Sequence, residues 1–128
     1  MKMKMADVKD LVGQVLISVE NKENAQLIFV TDSGKRYSMH HEQDCCENVN
    51  IESIVGDLSD LIGTPVLIAE ESTNSKNHPI GYEPNPYDEY YTWTFYKFAT
   101  KKGYVDIRWY GESNGYYSEE VVFKLITE

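Results

Sequence analysis

The sequence predicts an α+β fold, mainly antiparallel β, drawn either as one curved sheet or as a small sandwich with one or two short helices. Three observations carry this expectation. Apolar residues recur with a period of two in most segments, as where Val15, Ile17 and Val19 alternate with Gln14, Leu16, Ser18 and Glu20. Glycine-bearing turns follow those segments, with Gly34, Gly103 and Asn114-Gly115 supplying hairpin signals. Apolar runs are short, and none approaches the length that spans a bilayer.

The elements follow in order. Residues 5–13, MADVKDLVG, form a short helix stopped by Gly13. QVLISVE, NAQLIFVTD and KRYSMHH give a three-stranded antiparallel meander over residues 14–41. Residues 50–55, NIESIV, fit a strand or a helix equally well. Asp57 to Gly63 read as a short helical turn with an aspartate cap and a glycine stop. PVLIAEES is a strand. TWTFYKFATKKG, YVDIRWYGES and YYSEEVVFKLITE are three more antiparallel strands, the last two forming a C-terminal hairpin about Asn114-Gly115. No internal repeat and no second domain is read.

The 128 residues make one domain, large enough to bury a core without metal or disulfide. Lysines at the N-terminus are followed by no apolar stretch, so no secretory signal is expected and the cytosol is the expected compartment. A net charge of −9 disfavours direct nucleic-acid binding. It suits solubility, a basic partner, or mimicry of DNA. The only cysteines, Cys45 and Cys46, are adjacent, and a vicinal disulfide is strained. Two free thiols are expected in a reducing compartment.

Between PVLIAEES and TWTFYKF lies a long polar loop, about residues 71–91, with three of the four prolines. Such loops are functional or mobile. Its tyrosines, Tyr82, Tyr87, Tyr90 and Tyr91, are the protein-binding candidates, because tyrosine offers contact area at low entropy cost.

Two further patches could carry chemistry. His41, Asp44, Cys45 and Cys46 have metal-ligand or nucleophile residue types. Adjacent cysteines chelate poorly, however, and Glu42, Asp44 and Glu47 would raise a nearby thiol's pKa. The main expectation there is a structural turn, with no metal and no cofactor. In the C-terminal segment, Val105, Ile107 and Trp109 face one way, and Tyr104, Asp106, Arg108 and Tyr110 the other. Arg108 with Trp93, Tyr110 and Tyr116 is the candidate site for a nucleotide-like small molecule, by stacking and charge pairing.

The motifs His41-x-Gln43-Asp44-Cys45-Cys46-Glu47, Asp57 to Pro65, Thr92 to Tyr96 and Arg108 to Ser118 resemble a small domain of unknown function found mainly in bacteriophage and prophage genomes. The resemblance covers most of the chain. It implies an origin and no established activity, catalytic residue or cofactor. Small acidic phage proteins act as accessory factors, so the first expectation is a non-enzymatic, phage-encoded protein in the host cytosol. It would bind a host protein, with an anti-defence or inhibitor role. A sequestering protein for a nucleotide-like molecule is the second, and a metal or cysteine site at His41–Glu47 the third. An exposed sheet edge also suits pairing with a second copy, a homodimer.

Overall fold

The computed structural model describes residues 2–127, which form two facing antiparallel sheets. The first holds β1 (Met3–Met5), β2 (Leu16–Lys22), β3 (Gln26–Thr31), β4 (Arg36–His40) and β9 (Val122–Ile126), in the order β1-β9-β4-β3-β2. The second holds β5 (Asn48–Val55), β6 (Ile68–Asn74), β7 (Tyr90–Thr100) and β8 (Gly103–Ser113), in the order β5-β8-β7-β6. Of the two architectures the sequence allows, the sandwich is the one that forms.

The period-two pattern explains the core. Leu27 and Phe29 of β3, Tyr37 and Met39 of β4, and Phe123 of β9 point inward from the first sheet. Tyr96 and Phe98 of β7 and Val105, Ile107 and Trp109 of β8 meet them from the second. Phe29 and Phe98 pack across the interface with ring centroids 5.6 Å apart, and Tyr37 stacks on Phe123 at 5.2 Å. The Trp109 indole N–H points at Met39 Sδ, 3.3 Å away. Each such ring, withdrawn from water, contributes roughly 1.5–3 kcal/mol.

Two expectations are corrected. Residues 5–13 contain no α-helix, only a four-residue 3₁₀ turn at Val8–Leu11, whereas 57–63 do form the short helical turn expected, a 3₁₀ turn at Leu58–Leu61 capped by Asp57. A single turn does not repay α-helix nucleation, and an aspartate cap on each turn closes it locally instead. Asp7 accepts from the Lys9 N–H, and Asp57 from the Ser59 N–H, each at 2.9 Å. The ambiguous segment 50–55 belongs to β5, paired with β8. The C-terminal hairpin does not form: after Asn114-Gly115 the chain crosses to the other sheet, where β9 pairs with β4 and β1. Burial of Val121 and Phe123 among first-sheet residues outweighs the local turn signal.

The fold also holds an internal repeat that the linear reading missed. Asp7-Val8-Lys9-Asp10-Leu11-Val12-Gly13 matches Asp57-Leu58-Ser59-Asp60-Leu61-Ile62-Gly63 in residue type at every position but Lys9/Ser59, and each stretch forms an aspartate-capped 3₁₀ turn. Each unit runs strand, 3₁₀ turn, then three strands: β1 to β4, and β5 to β8. The copies meet about a pseudo-two-fold axis. Val12 bridges Val66 while Ile62 bridges Leu16, and Val15 faces Pro65 at the centre. The Gly13 N–H donates to the Val66 carbonyl at 2.8 Å, and the Gly63 N–H to the Leu16 carbonyl at 2.9 Å. Both glycines have positive φ, +87° and +93°, which lets the chain leave the turn and enter the strand. The copies differ in length and in β9, which inserts between β1 and β4. This axis stitches β2 to the start of β6, so one side of the sandwich is closed.

Candidate functional site

The 41–47 loop is organised around Glu47, whose side chain is fully buried. His41 Nε2 lies 2.7 Å from Glu47 Oε2, and the N–H groups of Asp44 and Cys45 donate to the same carboxylate at 2.9 Å each. Burial pushes the Glu47 carboxyl up, but the His41 hydrogen bond and the two backbone donors outweigh it and hold the group at about 2. The other His41 nitrogen, Nδ1, lies 2.6 Å from the Glu120 carbonyl, so the ring ties this loop to the segment leading into β9. Gln43 closes the loop by donating to the Glu47 carbonyl at 2.7 Å. His41 and Glu47 therefore saturate each other.

The adjacent cysteines differ from expectation. Cys45 and Cys46 are joined as a vicinal disulfide. The disulfide sits in the loop whose Asp44 and Cys45 N–H groups both donate to Glu47. No group of three or more His, Cys, Asp or Glu side chains among the described residues is placed to hold a metal ion.

The second sheet presents its outer face to the long connection. β6 extends to Asn74 and β7 starts at Tyr90, so the connection proper is residues 75–89. It lies across the sheet as a strap. Asn74 Oδ1 accepts the N–H groups of Lys76 and Asn77, and Asn85 Oδ1 accepts that of Tyr87. These aspartate-like turns shape the strap locally. Two clasps hold it down. His78 Nδ1 accepts the Trp93 indole N–H at 3.1 Å, and Asp88 accepts the Tyr110 hydroxyl at 2.7 Å. His78 stacks on Tyr91 at 4.0 Å, and Tyr82 packs edge-on against Trp93 at 4.8 Å. Burial, then the Asp88 carboxylate, push the Tyr110 phenol well above its ordinary pKa.

The candidate ligand residues thus divide. Arg108, Trp93 and Tyr110 do come together: the Arg108 guanidinium lies 5.1 Å from the Trp93 ring, which packs on Tyr110 at 4.5 Å. Trp93 is entirely buried by the strap and presents no free face. Arg108 is held by Glu52, whose Oε1 lies 2.7 Å from both Nε and one terminal nitrogen. Glu52 reaches it because the register between β5 and β8 slips at that residue, a bulge that re-aims a side chain. Tyr116 is apart from these, on the 114–121 connection, where it packs edge-on against Tyr117. Beside Arg108 the uncovered half of the sheet forms an open groove of about 810 Å³, with Phe95, Lys97, Glu70 and Asp106 in its lining.

The candidate protein-binding tyrosines divide as well. Tyr82 and Tyr91 are half-buried in the cluster under the strap. Tyr87 and Tyr90 are exposed, at 89% and 52%, and Tyr116 joins them at 84%. Cys46, Tyr87, Glu89 and Asn114 line one hollow at this end of the sandwich, so three loops converge there. The Tyr90 ring lies against Gly115, where a Cβ would meet its Cε2 at 2.9 Å. The 114–121 connection is pinned too: the Glu119 carboxylate accepts the hydroxyls of Thr92 and Ser113. Linear reading missed His78, Asp88 and Glu119 as anchors. The Asn and Asp residues of the strap were the available signal, but their partners lie on other strands.

Neither the curated proteins nor the solved structures include a significant match to this chain. Among families, one described as "Domain of unknown function (DUF7448)" matches residues 9–123, a span that contains the Glu47 loop, the strap and the second copy of the internal repeat. The chain belongs to that family.

Proposed function

We propose that this chain is a non-enzymatic binding protein, phage-encoded as its motifs suggest, that engages a host protein through the three-loop end of the sandwich. One observation carries the reading: Tyr87 and Tyr116 stand exposed on loops anchored by half-buried hydrogen bonds, with Tyr90 exposed at the start of β7 between them in sequence. Rigid, exposed tyrosines give large contact area with little ordering cost, the chemistry of a protein-binding surface built from loops. Exposed carboxylates at Asp44, next to the disulfide, and at Glu89 share this end and suit a partner of opposite charge. The test compares host-lysate capture by the wild-type chain and a Tyr87→Ala/Tyr116→Ala double variant of unchanged thermal stability. The reading requires a discrete partner held by the wild type and lost from the variant. Equal capture by both, or none at micromolar chain, would sink it.

A second reading is supported by the groove beside Arg108, whose volume is in the range of small-molecule sites. With Trp93 covered, Phe95 is the ring available there for stacking, and Arg108 and Lys97 are the charges. A ligand in this groove would raise thermal stability in the wild type and not in Arg108→Ala. An unchanged shift in the variant would exclude the site.

A further inference from the structure

We propose that His78 is a pH-operated latch on the 75–89 strap, through which acidification regulates the tyrosine surface. Its consequence for binding rests on the reading above; the latch itself does not.

The argument starts from what the two partners can do. An indole N–H only donates. The nitrogen that meets Trp93 Nε1 at 3.1 Å, His78 Nδ1, must therefore carry a lone pair, which fixes the imidazole as neutral with its proton on Nε2. Protonating the ring would set N–H against N–H. Trp93 is wholly buried, so its indole would have no water to take the lost acceptor's place. His78 itself is only half-buried, so a proton from solvent reaches it.

The surroundings offer no substitute. His78 faces Tyr82 from its own strap at 5.1 Å, Tyr91 and Trp93 from β7 at 4.0 and 6.1 Å, and Tyr110 from β8 at 6.4 Å. The charged groups joined to this cluster are Asp88, bonded to the Tyr110 hydroxyl, and Arg108, on Trp93. Asp88 holds the far clasp, so it stays engaged when the near one opens. Stacking on Tyr91 tolerates either charge state of the ring, but the Trp93 bond does not. The strap thus has one clasp whose acceptor is an imidazole nitrogen and one whose acceptor is a carboxylate, and Tyr87 sits beside the second. Opening the first frees residues 75–84, the half of the strap that leads into Tyr87.

The test follows the two indole N–H resonances of the ¹⁵N-labelled chain, with amide hydrogen exchange over 75–89, from pH 7.5 to 5.5. Trp109, which points at Met39 in the core, is the internal reference. The expected result is a shift of the Trp93 resonance alone, with roughly tenfold faster exchange in the strap at the acid end. His78→Gln keeps an acceptor oxygen without titrating, so its profile is flat. His78→Ala exchanges fast at every pH. A Trp93 resonance unmoved across the range, or moved equally in His78→Gln, overturns the latch. Capture of the host partner is then compared at the two pH values. Loss at pH 5.5 in the wild type but not in His78→Gln supports the regulation. Equal capture overturns it while leaving the binding reading intact. No capture at pH 7.5 overturns the binding reading and leaves the latch to its spectroscopic test.

Discussion

His41 and Glu47 form a buried pair 2.7 Å apart, and that pair fixes where the chain leaves the first sheet for the second. The carboxylate gathers three donors, His41 and the N–H groups of Asp44 and Cys45. The imidazole in turn holds the Glu120 carbonyl. Removing either side chain unties two loops at once.

An acid limb in stability follows from Glu47. Its carboxyl is held at about 2 in the fold against 4.5 as an ordinary value. A depressed folded value means that the contribution is complete above about pH 4.5, declines below it and is gone once pH falls through about 2. Denaturant unfolding across that window should show the decline in the wild type and a flatter profile, from a lower plateau, in Glu47→Gln.

The interface between the sheets should respond to Phe98. Its ring meets Phe29 across the core and is fully buried. Phe98→Ala removes both the contact and the volume, at a cost of about 3–5 kcal/mol read from chemical denaturation. A loss below about 1 kcal/mol would mean that the two sheets do not share one core.

The pseudo-two-fold axis makes a paired prediction. Gly13 and Gly63 play the same part, with φ near +90° and donor bonds to the opposite copy. Gly13 has open space around its Cβ position, and Gly63 has only the Lys102 amine at 3.3 Å. Gly13→Ala and Gly63→Ala should therefore each cost about 1–2 kcal/mol, from backbone conformation alone. Strongly unequal losses would show that the copies are not equivalent in energy.

Tyr110→Phe removes the second clasp and leaves the ring in place. The expected cost is about 1 kcal/mol, with hydrogen exchange rising near Asp88 more than near His78. Tyr87→Ala, by contrast, should stay within about 0.5 kcal/mol of the wild type, because its ring touches solvent. Only binding should register its loss.

Much of this protein was decided by sequence alone. The three strands of the 14–41 meander, the inward set Val105, Ile107 and Trp109, and the outward set with Arg108 follow from side-chain alternation, which is a local property, except in β2, where a bulge between Leu16 and Ser18 buries Leu16 and leaves Ile17 exposed. The caps at Asp7 and Asp57 are local too, although their turns proved too short for α-helix. Tertiary structure decided the rest. β9 left its hairpin because a buried slot between β1 and β4 outweighs a turn. Cys45 and Cys46 are a bonded pair in a loop gathered onto the buried Glu47 carboxylate, which takes the Cys45 N–H. Trp93 lost its free faces, and Tyr110 its free hydroxyl, because His78 and Asp88, 15 and 22 residues away, draw the strap over them. The repeat of Asp7–Gly13 in Asp57–Gly63 was on the page as letters, yet its meaning required the two copies to meet. Hydrogen bonds and burial between distant residues carry no signature in residue order, which is why these features appear only in the folded chain.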